Sequence, residues 1–362
     1  MEEGRPRRTK NRLTPAAVLG VVVLIGVLGG VAVVAGGVPN PLATGPEAAV
    51  TDVSGDTTVS VAYVTDANET RRFEVTGLRS QLSDEAGNWA FVPRTSLPPE
   101  LEAVGGDPEA GVVTVGEWAV VGDLRASTVH IDDQPVTVVA PTGMDVDPAR
   151  KAYFLEKFLS PYSFHPDPTG RVTLVIAPSA LPASGMMYGQ SGYIAQTAFW
   201  DGAAGSVWVH EYVHAQRSFE LAPEMRWFSE GSATYFSYRV MEAQYHGVAD
   251  EDVRDRLMAK DTAPQTALAD PSAWAENRAN YHRGAKLLYV VDAEIRAGSD
   301  GERTLVDVHR AMNRQEEPIT VEEFVSIVET HSGEEQEWLS DAIRTDEDLN
   351  ASVHGASSEF EE

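Results

Sequence analysis

His210-Glu211-Tyr212-Val213-His214 sets two imidazoles four residues apart with a carboxylate between them, and Glu230 follows sixteen residues after the second histidine. On a helix, side chains at i and i+4 project from one face, one above the other, so His210 and His214 can share a metal ion. Zinc accepts neutral imidazole nitrogen and carboxylate oxygen, and a catalytic zinc keeps three protein ligands and one position for water. Glu230, inside Trp227-Phe228-Ser229-Glu230-Gly231, is the natural third ligand. Glu211 is rotated about 100° around the helix from His210, toward the open side, where it could deprotonate a water whose pKa the metal lowers to about 7. The chemistry of such a set is hydrolysis.

The bland alternative is a pair of histidines on the polar face of an ordinary helix, and another divalent ion could take the same ligands as zinc. The flanks oppose the first of these. Val207, Trp208, Tyr212 and Val213 make the helix apolar, and a carboxylate buried between two imidazoles is costly unless paired or metal-bound. The elements that must position the ligands are a helix over 204–221 and a second over 224–245, packed so that the Glu230 carboxylate reaches the ion held by the first.

With these residues in view, the chain resembles the gluzincin metallopeptidases, which include thermolysin-like, aminopeptidase-N-like and glycyl-aminopeptidase-like families. The resemblance runs over about 170–343. It rests on His210-Glu211-x-x-His214, on Trp227-x-x-Glu230-Gly231-x-Ala233-x-Tyr235, and on Tyr281-x-x-Gly284 followed by Leu287-x-x-x-Val291-Asp292-x-x-Ile295-Arg296. It implies a zinc peptidase with His210, His214 and Glu230 as ligands, Glu211 as general base and Tyr281 as the phenol donor to the oxyanion. Preorganised donors of that kind stabilise charge that develops in the transition state; the alternative for Tyr281 is a ring packed at a helix start.

Two departures are informative. Aminopeptidase-N-like enzymes carry Gly-x-Met-Glu-Asn, whose Glu binds the substrate's free amine, whereas the nearest run here, Gly185-Met186-Met187-Tyr188-Gly189, has no carboxylate. Exopeptidase specificity does not carry over. The short gap between His214 and Glu230 is similar to the compact, peptidase-MA-like branch. Gluzincins bind extended peptide by adding it to a sheet edge. Ser191–Trp200 has the aromatic and branched content of a strand, and as the expected edge it makes Gly192, Tyr193 and Ile194 the candidate substrate contacts.

The remaining chain implies an α+β organisation. Arg5, Arg7, Arg8, Lys10 and Arg12 precede an uncharged apolar stretch, 16–37, long enough for about 30 Å of hydrocarbon. Residues 1–15 read as a basic cytoplasmic tail and 16–37 as a transmembrane anchor that leaves the rest outside the cell membrane; cleavage as a secretory signal is the alternative. Residues 38–52 read as a linker. Residues 53–142, with Val- and Thr-rich runs separated by turn residues, read as an antiparallel β domain. A thermolysin-like, mostly helical catalytic domain with a small edge sheet follows over 143–345, with helices at 148–159, 274–297, 304–312 and 321–329 and a strand at 171–176, and then an acidic tail, 346–362.

The 362 residues carry a formal charge of −27, with 55 Asp and Glu against five Lys. That balance repels nucleic acid and is similar to the surfaces of proteins from salt-loving microbes. With no cysteine there are no disulfides and no thiolate-bound zinc. The gluzincin resemblance implies a peptide or protein substrate as partner, and the apolar stretch 16–37 adds the membrane. The competing class is a catalytically inactive gluzincin-fold binding or envelope protein, which has no need to retain Glu211.

Overall fold

A computed structural model describes the chain from residue 47 to residue 353, apart from residues 55–57, 66, 79, 84–87, 166–169, 199–204, 262–265, 275–276, 347 and 351. The chain divides into two units, residues 1–33 and residues 34–362; the description below concerns the second. The expected anchor, 16–37, and the tail before it lie outside the described residues, as does most of the acidic tail. Among the described residues no helix is long and apolar enough to cross a membrane.

Strands β1 (Glu47–Ser54), β2 (Thr58–Val64) and β3 (Thr70–Thr76) form an antiparallel meander. The first of them starts inside the stretch expected as linker, because Ala48 and Val50 alternate onto the same buried face as Val59, Val61 and Val75. A second antiparallel sheet, in the order β4-β7-β6-β5, comprises β4 (Trp89–Pro93), β5 (Gly106–Asp107), β6 (Val112–Val115) and β7 (Trp118–Gly122), with the short helix α1 (Pro99–Ala103) inserted. Successive strand residues point to opposite faces. Ala90, Val92, Val112 and Val121 accordingly pack on the meander, while Trp89, Phe91, Val113 and Val120 join the main core.

The third sheet corrects the expected domain boundary. It has the order β11-β12-β10-β9-β8 and is built from β8 (Leu124–Ile131), β9 (Gln134–Pro141), β10 (Val172–Ala177), β11 (Gly185–Tyr188) and β12 (Ser191–Ala195). Residues 124–141, expected within an antiparallel β domain, thus share a sheet with the strands that precede the metal helix. That sheet is mixed, since β9, β10 and β12 run parallel. The reason is the crossover: helix α2 (Pro148–Leu159) carries the chain back so that β10 re-enters alongside β9 in the same direction. Its start is set locally, with Asp147 accepting from the Ala149 amide at 3.0 Å and Pro148 at the first helical position. All six residues of β10 are buried, as a strand covered on both faces requires.

The helical part comprises α3 (Val207–Ala215), α4 (Trp227–Gln244), α5 (Asp250–Lys260), α6 (Ala279–Gly298), α7 (Leu305–Met312), α8 (Val321–Ser332) and α9 (Glu337–Arg344). Helix α3 is shorter than the periodicity suggests. It ends at Ala215, and Gln216 turns aside to donate to the buried Gln134 side chain of β9 at 2.7 Å. Helix α6 begins at Ala279 because Arg278 is left-handed, with φ 57° and ψ 32°, a conformation a right-handed helix cannot include. Helices α5 and α9 were not expected from the sequence.

Several of the residues behind the gluzincin resemblance hold this bundle together. The Tyr235 hydroxyl donates to Asp292 at 2.6 Å, Arg296 donates to the same oxygen at 2.9 Å, and the other Asp292 oxygen accepts the Leu305 amide at the start of α7. One buried carboxylate thereby joins α4, α6 and α7, with both of its oxygens accepting hydrogen bonds.

Candidate metal centre and cleft

Helices α3 and α4 bring the three ligand atoms into a small triangle. His210 Nε2 lies 3.2 Å from Glu230 Oε2 and 3.2 Å from His214 Nε2, and His214 Nε2 lies 3.4 Å from the same Glu230 oxygen. A tetrahedral zinc with ligands at 2.0–2.1 Å separates neighbouring ligand atoms by about 3.3 Å. The donor set and its spacing therefore fit this ion. These three side chains are the one group of metal-ligating type found among the described residues. Ser229 Oγ lies 3.5 Å from His214 Nδ1, on the nitrogen turned away from the triangle, the position from which an outer group fixes ring orientation.

Electrostatics prepare the same donors. Burial lowers the His210 pKa, outweighing the hydrogen bond to Glu230 that raises it, and keeps the ring neutral as a ligand must be. Burial alone would raise the Glu230 carboxyl, but hydrogen bonds from His210 and His214 hold it well below the ordinary carboxylate range. Glu211 is 5 % exposed. Burial, then the Glu230 charge, pushes its carboxyl up to about 8, both being effects that a neighbouring divalent cation offsets.

Tyr281, from the first turn of α6, lies parallel to the His210 ring, with centroids 5.9 Å apart and planes at 5°. The Arg278 guanidinium lies over the same ring at 4.3 Å from the centroid. Burial and then Glu230 push the phenol up to about 12, so it stays protonated and able to donate. Close helix contact delivers it there. A Cβ on Gly231 would sit 3.1 Å from the Gly284 backbone, and one on Gly284 the same distance from Gly231 Cα. The residue after the ligand Glu230 and the residue three beyond Tyr281 thus let α4 and α6 cross without intervening side chains.

The expected edge strand is corrected by the topology. Strand β12 has hydrogen-bonded neighbours on both sides, and Tyr193 and Ile194 are in the core. Gly192, Tyr193 and Ile194 therefore have no backbone edge to offer. The open edge is β11, four residues long and followed by a two-residue turn at Gly189-Gln190, where Gly189 has φ +64°. Ala195 N donates to Ser184 O at 2.8 Å. The alternation of antiparallel pairing then turns the Gly185 and Met187 amides and carbonyls away from β12, toward the cleft. Gly185 lies directly against the candidate base: a Cβ there would fall 2.5 Å from Glu211 Oε1.

Two lobes meet at this point, and Gly185, His210, Glu211 and Tyr281 belong to both. One, of about 320 Å³, runs past Met186, Met187, His214 and Arg217. The other, of about 540 Å³, runs toward α5. Periodicity in the sequence gave no sign of β11 as the edge or of the α5 wall; the glycines bracketing Met186-Met187-Tyr188 were the one local signal.

The chain is similar to M1 zinc metallopeptidases. A variant of the Deinococcus radiodurans enzyme bound to a Tyr-Ser-Ala substrate is 15% identical with a TM-score of 0.47, covering 83% of this chain and 60% of that one. Legionella pneumophila aminopeptidase A is 12% identical with a TM-score of 0.48, covering 83% and 47%. An aminopeptidase N family protein from Idiomarina loihiensis is 15% identical with a TM-score of 0.44, covering 70% and 52%. The chain spans about half the length of the solved structures it matches. No protein-family model matches it, and no curated protein does.

Proposed function

We propose that the protein is a zinc-dependent peptidase that hydrolyses peptide bonds, held at the cell membrane by its N-terminal apolar segment with the catalytic part outside. The observation that carries the hydrolytic reading is the ligand triangle of zinc dimensions, with Glu211 and Tyr281 facing one cleft beside an open sheet edge. The basic residues before the apolar stretch 16–37 support the membrane part.

His210, His214 and Glu230 hold the ion, which when bound supplies Lewis acidity to water and to the scissile carbonyl. A peptide pairs with the Gly185 and Met187 main chain, which fixes its height over the base. Glu211 takes a proton from the attacking water and passes it to the departing amine. The Tyr281 hydroxyl donates to the oxygen on which negative charge develops. Among the described residues, Glu211 and Glu230 are the only carboxylates lining the two lobes, and both are committed. None remains for a substrate's free amine, which favours cleavage within a chain over removal of its first residue.

The test is metal content and cleavage of a mixed peptide library by the full chain in high salt, beside Glu211→Gln. One zinc per chain, with turnover falling roughly a thousandfold in the variant while zinc is retained, is the expected result. Zinc without cleavage by the wild type transfers the reading to a non-catalytic binding protein on the same fold.

A further inference from the structure

The larger lobe of the cleft carries an unusual charge for this molecule. In a chain of net charge −27, its wall includes Arg256, Lys260 and Arg278. Arg256 and Lys260 lie four residues apart on α5 and so on one face of that helix. Elsewhere Arg71, Arg94, Arg239, Arg296, Arg310 and Arg344 each pair with an Asp or Glu. No ion pair among the described residues involves the three cations of this wall. The nearest acids on α5 point elsewhere in function: Asp255 pairs with Arg254, Asp252 caps the helix start, and Asp250 pairs with Arg239.

Two further features mark the lobe as built for a polar occupant. Thr234 is 6 % exposed and lines the wall, and its hydroxyl has no hydrogen-bond partner among the described residues. Such a group is costly unless something polar meets it. His282, also on the wall, has a buried Nδ1 in the same position. Burial lowers the His282 pKa first, and the charges of Arg278, Lys260 and Arg256 lower it further against the opposing Asp261, so the three cations act on one small volume. Tyr238 lies on the same wall, and Arg256 lowers the pKa of its hydroxyl against a larger rise from burial.

We propose that this lobe is a carboxylate-binding subsite, in which Arg256 and Lys260, with Arg278 beside them, take a carboxylate carried by the peptide. The inference rests on the peptidase reading of the adjoining centre. Planar, bidentate recognition of a carboxylate is what an arginine offers, and a neighbouring lysine adds a compact charge. Because the lobe opens from Gly185, Glu211 and Tyr281, the group it holds lies within a few residues of the scissile bond. An unmodified peptide has two sources of such a group: an Asp or Glu side chain and its own C terminus.

The experiment uses matched peptides that differ in a single group: free C-terminal acid against amide, and Glu against Gln at each position near the bond. Their affinities for the zinc-loaded full chain bearing Glu211→Gln are measured by calorimetry, without and with the added substitutions Arg256→Gln and Lys260→Gln, while the wild type is assayed for cleavage of the same peptides. A carboxylate peptide is expected to bind at least tenfold more tightly than its neutral partner, and the added substitutions are expected to reduce that ratio to about two or less. Since both side chains are exposed, Lys260→Gln alone, with unchanged thermal unfolding, serves as the folding control and is expected to reduce the ratio part of the way. A difference confined to acid against amide assigns the C terminus, and one confined to Glu against Gln assigns a side chain. Equal or undetectable binding of both partners, or a preference that survives the substitutions, overturns the inference. Cleavage without preference refutes the inference alone, whereas preference without any cleavage by the wild type refutes the peptidase reading alone.

Discussion

At the scale of single residues, the centre depends on a few groups held in opposite electrostatic conditions. Glu230 is held ionised by two imidazoles, Glu211 is raised by burial, and Tyr281, stacked on the His210 ring, is kept protonated by burial and by Glu230 against the opposing Arg278 charge. Divergent environments for nearby titratable groups are what distinguish ligand, base and donor. Tyr281→Phe should keep the ring stack and the zinc while removing the donor. A fall in kcat of about a hundredfold, with KM and metal content little changed, is the expected pattern in steady-state kinetics. A KM effect alone would make Tyr281 a packing residue. The identities of these residues were legible in the sequence, and their spacing along two helices was enough to set out the ligand triangle. Arg278 was not legible. It sits three residues before Tyr281 in a left-handed conformation that no local pattern announced.

At the scale of elements, the site is a crossing of two helices under a sheet edge. Gly231 and Gly284 are where α4 and α6 touch, backbone to backbone. Adding a methyl group at either position must push the helices apart, since main chain cannot yield as a flexible side chain can. Gly231→Ala and Gly284→Ala should each cost about 1–3 kcal/mol of stability in denaturant unfolding. Each should also lower kcat by moving Tyr281 away from Glu230, more than an alanine at the surface glycine Gly247 does. An unchanged kcat in a variant of normal stability would show that the crossing does not set the catalytic geometry. The sheet edge was misread in the sequence for an identifiable reason. Ser191–Ala195 has stronger strand composition than Gly185–Tyr188, but composition reports that a residue is in a strand and not which strand is left without a neighbour. That depends on pairing between segments far apart in sequence. The parallel β9, β10 and β12 were missed on the same ground.

At the scale of the whole molecule, the described unit joins three sheets and a helical bundle, and its acid response can be traced to a buried histidine. His309 is 1 % exposed among Phe164, Phe219, Phe228 and Phe236, with Nδ1 set to donate to the Phe164 carbonyl at 3.2 Å. Burial depresses its pKa from 6.5 to about 4. The unfolded chain therefore binds the proton more readily between those values. Stability from this group is present above pH 6.5 and is lost as the pH falls toward 4, to the extent of about 3 kcal/mol. Urea unfolding at pH 7.5 and pH 5 should show a drop in the wild type that is smaller by part of this amount in His309→Gln, which keeps an amide donor and does not titrate. Equal drops would place the acid response elsewhere. The sequence by itself set out the expected ligands, the expected base and the two site helices, because helical spacing fixes which side chains share a face over a few residues, while Tyr281 followed from the gluzincin resemblance. It also determined the excess of negative charge. Only the tertiary structure decided which strand lies open over Glu211, how Gly231 and Gly284 bring Tyr281 to the centre, and that Arg256, Lys260 and Arg278 converge on one lobe. Those depend on contacts between segments tens of residues apart, whose register is set by packing of the core and leaves no periodicity in the chain.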